Sequence, residues 1–191
     1  MPPPDDPTVL AAAARYLFKN LLLVRERDLA APTPCPEWDL RHLLWHTRAS
    51  LADAADVLTA GKLPAPPDAD AAAGRDPVGA LRLGIVDFLL TSASMPTAGR
   101  PCEVQGRNLP ARVVVYVGAI EMALHAWDVA QACRADRPIP SELAFSLLWV
   151  SPPLAEAGLR GNVFAEPLTP PATATPSDQL LALFGRQPDL G

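Results

Sequence analysis

The chain has 191 residues, 49% of them apolar and 19% charged, with a mean hydropathy of +0.12; this suits one globular domain over residues 1–191 and excludes a disordered or fibrous chain. A net charge of −5 without a Lys/Arg cluster gives nucleic-acid phosphate and anionic membrane surfaces little to hold, so the expected partner is a small-molecule substrate, with no nucleic acid and no membrane, and a homodimer is left open. Three widely spaced cysteines, apolar runs such as 113–120 and 143–150 that fall far short of the roughly 20 residues of a membrane span, and a start at Met1–Pro7 unlike a signal peptide together predict a cytoplasmic protein.

Proline removes a backbone donor and clashes inside a helix, so the 23 prolines mark where helices cannot run. They leave clear intervals at 8–31, 37–63, 78–95 and 111–137, with a shorter one at 141–151. Asp6-Pro7 sets a capping side chain before a first-turn proline and predicts a first helix over 7–29. Asp39 as N-cap and Gly61 as terminator frame a second, with Leu40, Leu43, Leu44, Leu51 and Leu58 gathered on one face. Asp76-Pro77 opens a third, and Pro110 stands before a fourth whose core stripe is Val113, Val117, Ile120 and Leu124. Between these two, Gly106 in a polar turn joins short extended pieces into a hairpin. Residues 62–75 and 165–176 read as Pro/Ala-rich connections, the latter before a short capped helix at Ser177–Phe184. The fold class is therefore all-α: an antiparallel four-helix bundle with a short hairpin between the third and fourth helices and a small C-terminal helical extension.

The histidines are His42, His46 and His125. Glu121 lies four residues before His125, so the two side chains leave one helix face and either grip one ion or form an intrahelical pair on a solvated face. At about 100° per residue they flank the apolar stripe of the fourth helix, about 80–120° from its centre, and His46 likewise flanks the stripe of the second. If these flanks face each other, His46, Glu121 and His125 make a two-histidine, one-carboxylate set with open coordination positions. That set suits a catalytic zinc; iron and nickel stay open. Asp128, one turn beyond His125, either orients a ligand from behind or is a surface carboxylate. Cys35, between Pro34 and Pro36, is an apolar anchor or a nucleophile. Arg75 or Arg82 would hold a substrate carboxylate, and nothing in the sequence separates them. There is no G-x-S-x-G, G-x-x-x-x-G-K-[ST] or G-x-G-x-x-G motif.

The run Thr33-Pro-Cys-Pro-Glu-Trp-Asp-Leu-Arg-His-Leu-Leu-Trp-His46 resembles the T-P-C-P-G-W…D-L-x-x-H opening of actinobacterial DinB-like proteins of the mycothiol-dependent maleylpyruvate isomerase superfamily. Glu121-Met-Ala-Leu-His-Ala-Trp-Asp128 is similar to their E-x-x-x-H-G-W-D segment, and Pro176–Arg186 to their D-x-L-L-A-L-x-G-R close. The resemblance implies a DinB-like four-helix bundle whose divalent metal, usually zinc, sits on His46, Glu121 and His125. It also implies use of a low-molecular-weight thiol, mycothiol, for isomerisation or thiol transfer on a small electrophile. Glu37, His42, Trp45 and Ala126 depart from the family pattern; they spare the ligands but alter the surroundings, which points away from maleylpyruvate itself. Two other readings remain: a thiol-independent metal enzyme acting on a small molecule such as a secondary-metabolite intermediate, and a non-catalytic metal-binding helical protein.

Overall fold

A computed structural model describes residues 6–36, 38–62, 76–95, 101–104, 106–156 and 166–187. The elements run α1 (Asp6–Leu21), a 3₁₀ turn (Glu26–Asp28), α2 (Leu40–Ala60), α3 (Pro77–Ser94), β1 (Pro101–Val104), β2 (Arg107–Pro110), α4 (Ala111–Ala132), α5 (Ser141–Glu156) and α6 (Pro176–Leu183). The protein is predominantly helical, and among the described residues the strands form a single antiparallel hairpin with Pro101 opposite Pro110 and Val104 opposite Arg107. Gly106, at φ 74°, takes the left-handed conformation that the turn requires.

The helix starts follow the side chains that satisfy free N–H groups. Asp39 accepts the His42 N–H at 2.8 Å, while the Leu40 and Arg41 N–H groups donate to the carbonyls of Ala31 and Leu29, each at 2.9 Å. Asp76 caps α3 through the Gly79 N–H at 2.8 Å. At the other end of α2, Gly61 adopts φ 80°. The first helix is shorter than its sequence suggests, ending at Leu21 rather than 29. The Leu23 N–H turns back to the Asn20 carbonyl, and the 3₁₀ turn then brings Leu29 and Ala31 to the start of α2, where a continuing helix would have carried them away.

The core gathers Leu17 and Leu21 of α1, Leu40, Leu43, Leu44, Leu51 and Leu58 of α2, Leu81, Ile85 and Phe88 of α3, and Ile120 and Met122 of α4, all essentially inaccessible. Helix α4 touches α1 and α2 extensively, α3 packs mainly on α2, and α6 packs on α5. The expected single stripe on α4 is too narrow: every residue from Gly118 to Ala130 is buried, whereas Val117 is only partly so. At Gly118 the ring of Phe88 lies where a Cβ would go, so α3 and α4 meet at a position that tolerates no side chain.

Chain direction also departs from the antiparallel expectation. Arg48, near the middle of α2, lies against Gly84, near the middle of α3, and the end of α2 meets β1, which follows α3: the Glu103 N–H donates to the Gly61 carbonyl. Together with Phe88 against Gly118 in the first half of α4, this sets α2 and α3 running the same way. A fifth long helix, α5, crosses Pro152 and Pro153, where the sequence reading ended its interval; prolines near a helix end forfeit few internal bonds. Both α3 and α4 have the length and composition of membrane spans, but α4 is 89% buried inside the protein, which marks it as a core helix.

Candidate metal centre

Helices α2 and α4 bring His46, Glu121 and His125 together. Glu121 Oε2 lies 3.1 Å from His125 Nε2 and 3.7 Å from His46 Nε2, and the two imidazoles stand edge to face with centroids 5.2 Å apart. One ligand atom from each residue falls within 4.8 Å of the others. The flanks of the two helices therefore face each other, the condition on which the three-residue set depended. Glu121 Oε2 is fully buried, yet neither close nitrogen reaches it in hydrogen-bond geometry. A buried carboxylate oxygen without a donor is costly unless a cation satisfies it, and two imidazoles with one carboxylate are the donors that a divalent metal takes. The residues fit such an ion.

A layer of polar residues stands behind His125. Asp128 is completely buried, and its Oδ2 lies 2.9 Å from His125 Nδ1. An ionised carboxylate only accepts, so Nδ1 carries a proton, and Nε2 is the ring atom turned toward Glu121 and His46, open to an ion in exchange for its own proton. Arg186 grips the same carboxylate, its Nη2 at 2.7 Å from Oδ2 and its Nε at 3.1 Å from Oδ1. The Cys35 thiol adds a longer contact, 3.5 Å, to Oδ2. Asp128 is thus no surface residue, and Cys35 is tied to the ligand-orienting layer.

Arg186 is the residue that sequence reasoning missed, although it lies in the Gly185-Arg186 close of the chain's family-like ending. Its position comes from the end of α6. Gly185, at φ 73°, sends its N–H to the Ala182 carbonyl while the Arg186 N–H reaches Leu181 at 2.9 Å, a Schellman termination that turns the chain back toward α4. Of the two arginines proposed for substrate, Arg75 lies outside the described residues. Arg82 lines a groove between α1 and α3 with Arg15, Phe18 and Lys19, and none of the three centre residues lines it. His42 is exposed and takes no part in the set.

The electrostatics favour positive charge here. Burial alone would raise the pKa of Glu121, but the two imidazoles hold its carboxyl far below the usual carboxylate range. Burial opposes the charged form of His125 as well, yet Asp128, Cys35 and Glu121 outweigh it and raise the ring well above the ordinary imidazole value. Asp128 is likewise depressed despite burial, through Arg186 and His125. Two buried carboxylates against one guanidinium leave a net negative pocket around His125, suited to a proton or a metal ion.

The family model described as the mycothiol maleylpyruvate isomerase N-terminal domain matches residues 10–130, and the chain belongs to that family. Two relatives from strains of Mycobacterium tuberculosis, both described as uncharacterized proteins, are each 28% identical over 185 residues, covering 95% of this chain and 98% of the relative. No solved structure matches significantly. The matched span contains α2, all but the last two residues of α4 and all three centre residues, while Arg186 lies beyond it.

Proposed function

We propose that the protein is a divalent-metal enzyme that uses a low-molecular-weight thiol such as mycothiol for isomerisation or thiol transfer on a small electrophile. The observation that carries this is the convergence of His46, Glu121 and His125 around a buried carboxylate oxygen with no hydrogen-bond partner, in a member of a mycothiol-related family. These three residues are the metal ligands in this reading, with zinc as the ion, on one DinB-like four-helix domain of the cytoplasm. The pairwise packing of α1 to α4 supports that bundle. A divalent cation there supplies a lowered thiol pKa and a thiolate held beside an electrophile.

The chain's own residues do the rest. Asp128 holds the proton on His125 Nδ1 and so keeps Nε2 available; Arg186 offsets the charge of Asp128 and fixes its carboxylate plane. The stretch of α4 from Gly118 to Ala130, buried all round, keeps water from the back of the site, and the half-exposed His46 marks its open side.

The test is elemental analysis of the purified protein, then titration of mycothiol into the cobalt-substituted form. The expected result is one metal per chain and a new sulfur-to-metal charge-transfer band. A metal-loaded protein with no such band for mycothiol or simpler thiols would favour the thiol-independent enzyme. Chelation is expected to leave the helical circular dichroism in place, because the leucine-rich core does not need the ion; collapse on chelation would make the metal structural.

A further inference from the structure

We propose that Trp38 and Trp45 form a subsite for a flat conjugated ring beside the metal centre, and that the His42 imidazole occupies it in the free protein. This rests on the metal reading above and names the substrate class: a neutral or anionic compound with a planar aromatic or conjugated ring.

The centre has one open side. The His46 side chain is 33% exposed, against 5% for Glu121 and 6% for His125. Against that side stands Trp38, whose ring centroid is 4.4 Å from that of His46. The platform is fixed from its backbone: the Trp38 carbonyl accepts from the Thr33 N–H at 3.2 Å and from the Thr33 hydroxyl at 2.9 Å, and its N–H donates to the Cys35 carbonyl. A locked aromatic at the mouth of a site binds a ring at little further cost in ordering.

The protein itself shows what that platform accepts. His42 stacks on Trp38 with centroids 4.9 Å apart and planes 23° apart, and Trp45 meets the same imidazole edge-on at 5.9 Å and 75°. His42 is exposed, and among the described residues its side chain makes no hydrogen bond or ion pair, so ring contacts alone hold it. It is the weakest-held member of the cluster and the one a ligand ring can replace. The replacement would keep both aromatic contacts and lie next to His46. A cationic ring would face the divalent ion that the site suits, which leaves neutral and anionic rings as the class.

The experiment titrates benzoate and cyclohexanecarboxylate, the same anion on a flat and a puckered ring, into the metal-loaded protein by calorimetry and tryptophan fluorescence. The expected wild-type preference for benzoate is about tenfold. His42→Ala removes the competing ring and should tighten benzoate about threefold while leaving cyclohexanecarboxylate unchanged, whereas Trp38→Leu should erase the preference. Should Trp38→Leu fail to fold, Trp45→Leu provides the second reading, with a partial loss of preference expected. Equal affinity for the two acids in the wild type, or weaker benzoate binding in His42→Ala, overturns the proposal. Metal content is measured in every sample: protein that takes up no metal yet still prefers benzoate keeps the ring subsite while removing the metal reading.

Discussion

Helices α3 and α4 are alike in hydropathy, with mean values of 1.2 and 1.4 over their most apolar windows, but only 17% of that window is buried in α3 against 89% in α4. Composition therefore does not say which helix is central. The polar residues do. Helix α4 carries Glu121, His125 and Asp128 into the interior, and each is met there by an imidazole, a carboxylate or a guanidinium. Helix α3 buries only Leu81, Ile85 and Phe88 and leaves Leu83, Val86 and Leu90 exposed. A buried helix can hold charge only where partners from other segments converge, so the charged helix is the enclosed one and the nearly uncharged helix is the surface one.

Substitutions on each helix test this contrast. The largest effect belongs to His125→Ala, which removes one of three donors and should abolish metal binding by elemental analysis, with His42→Ala retaining full content as the control. Next, Asp128→Ala strands the Arg186 guanidinium in the interior and should cost about 3–5 kcal/mol by denaturant unfolding; a loss below about 1 kcal/mol would mean that the pair is not held as described. On α3, Ile85→Ala opens a cavity between helices and should cost about 2–4 kcal/mol. The smallest change is expected from Leu83→Gln on the exposed face of the same helix, within about 0.5 kcal/mol. If Leu83→Gln proved as damaging as Ile85→Ala, α3 would be covered on both sides in solution and the contrast with α4 would fail.

Much of the helix layout was legible because prolines and capping aspartates act locally: Asp39, Gly61, Asp76 and Pro110 sit at the ends that their chemistry predicts. Helical spacing set His46 on the flank of one apolar stripe and Glu121 with His125 on the flank of another, so their meeting was legible as a possibility that the packing of α2 on α4 then decided. Chain direction was not. Whether α3 runs with or against α2 depends on a long connection whose residues carry no directional signal. The burial of α4 on all sides was hidden as well, because its carboxylates read as solvated until their partners are placed. Arg186 was out of reach for the same reason, being 58 residues from Asp128 in sequence and brought there by one left-handed glycine.

The Asp128–Arg186 pair also constrains how such a chain can diverge. Either residue replaced alone passes through a protein with an unmatched charge in its interior, a step that costs much of the several kcal/mol by which domains are folded. Replacement of both by apolar residues is far less damaging to the fold, but it would release the His125 tautomer. Lineages that keep the chemistry should therefore inherit the two residues as a unit, and lineages that have lost one should have lost the other. Co-variation between positions 128 and 186 would then serve as a historical record of which descendants still needed an oriented imidazole.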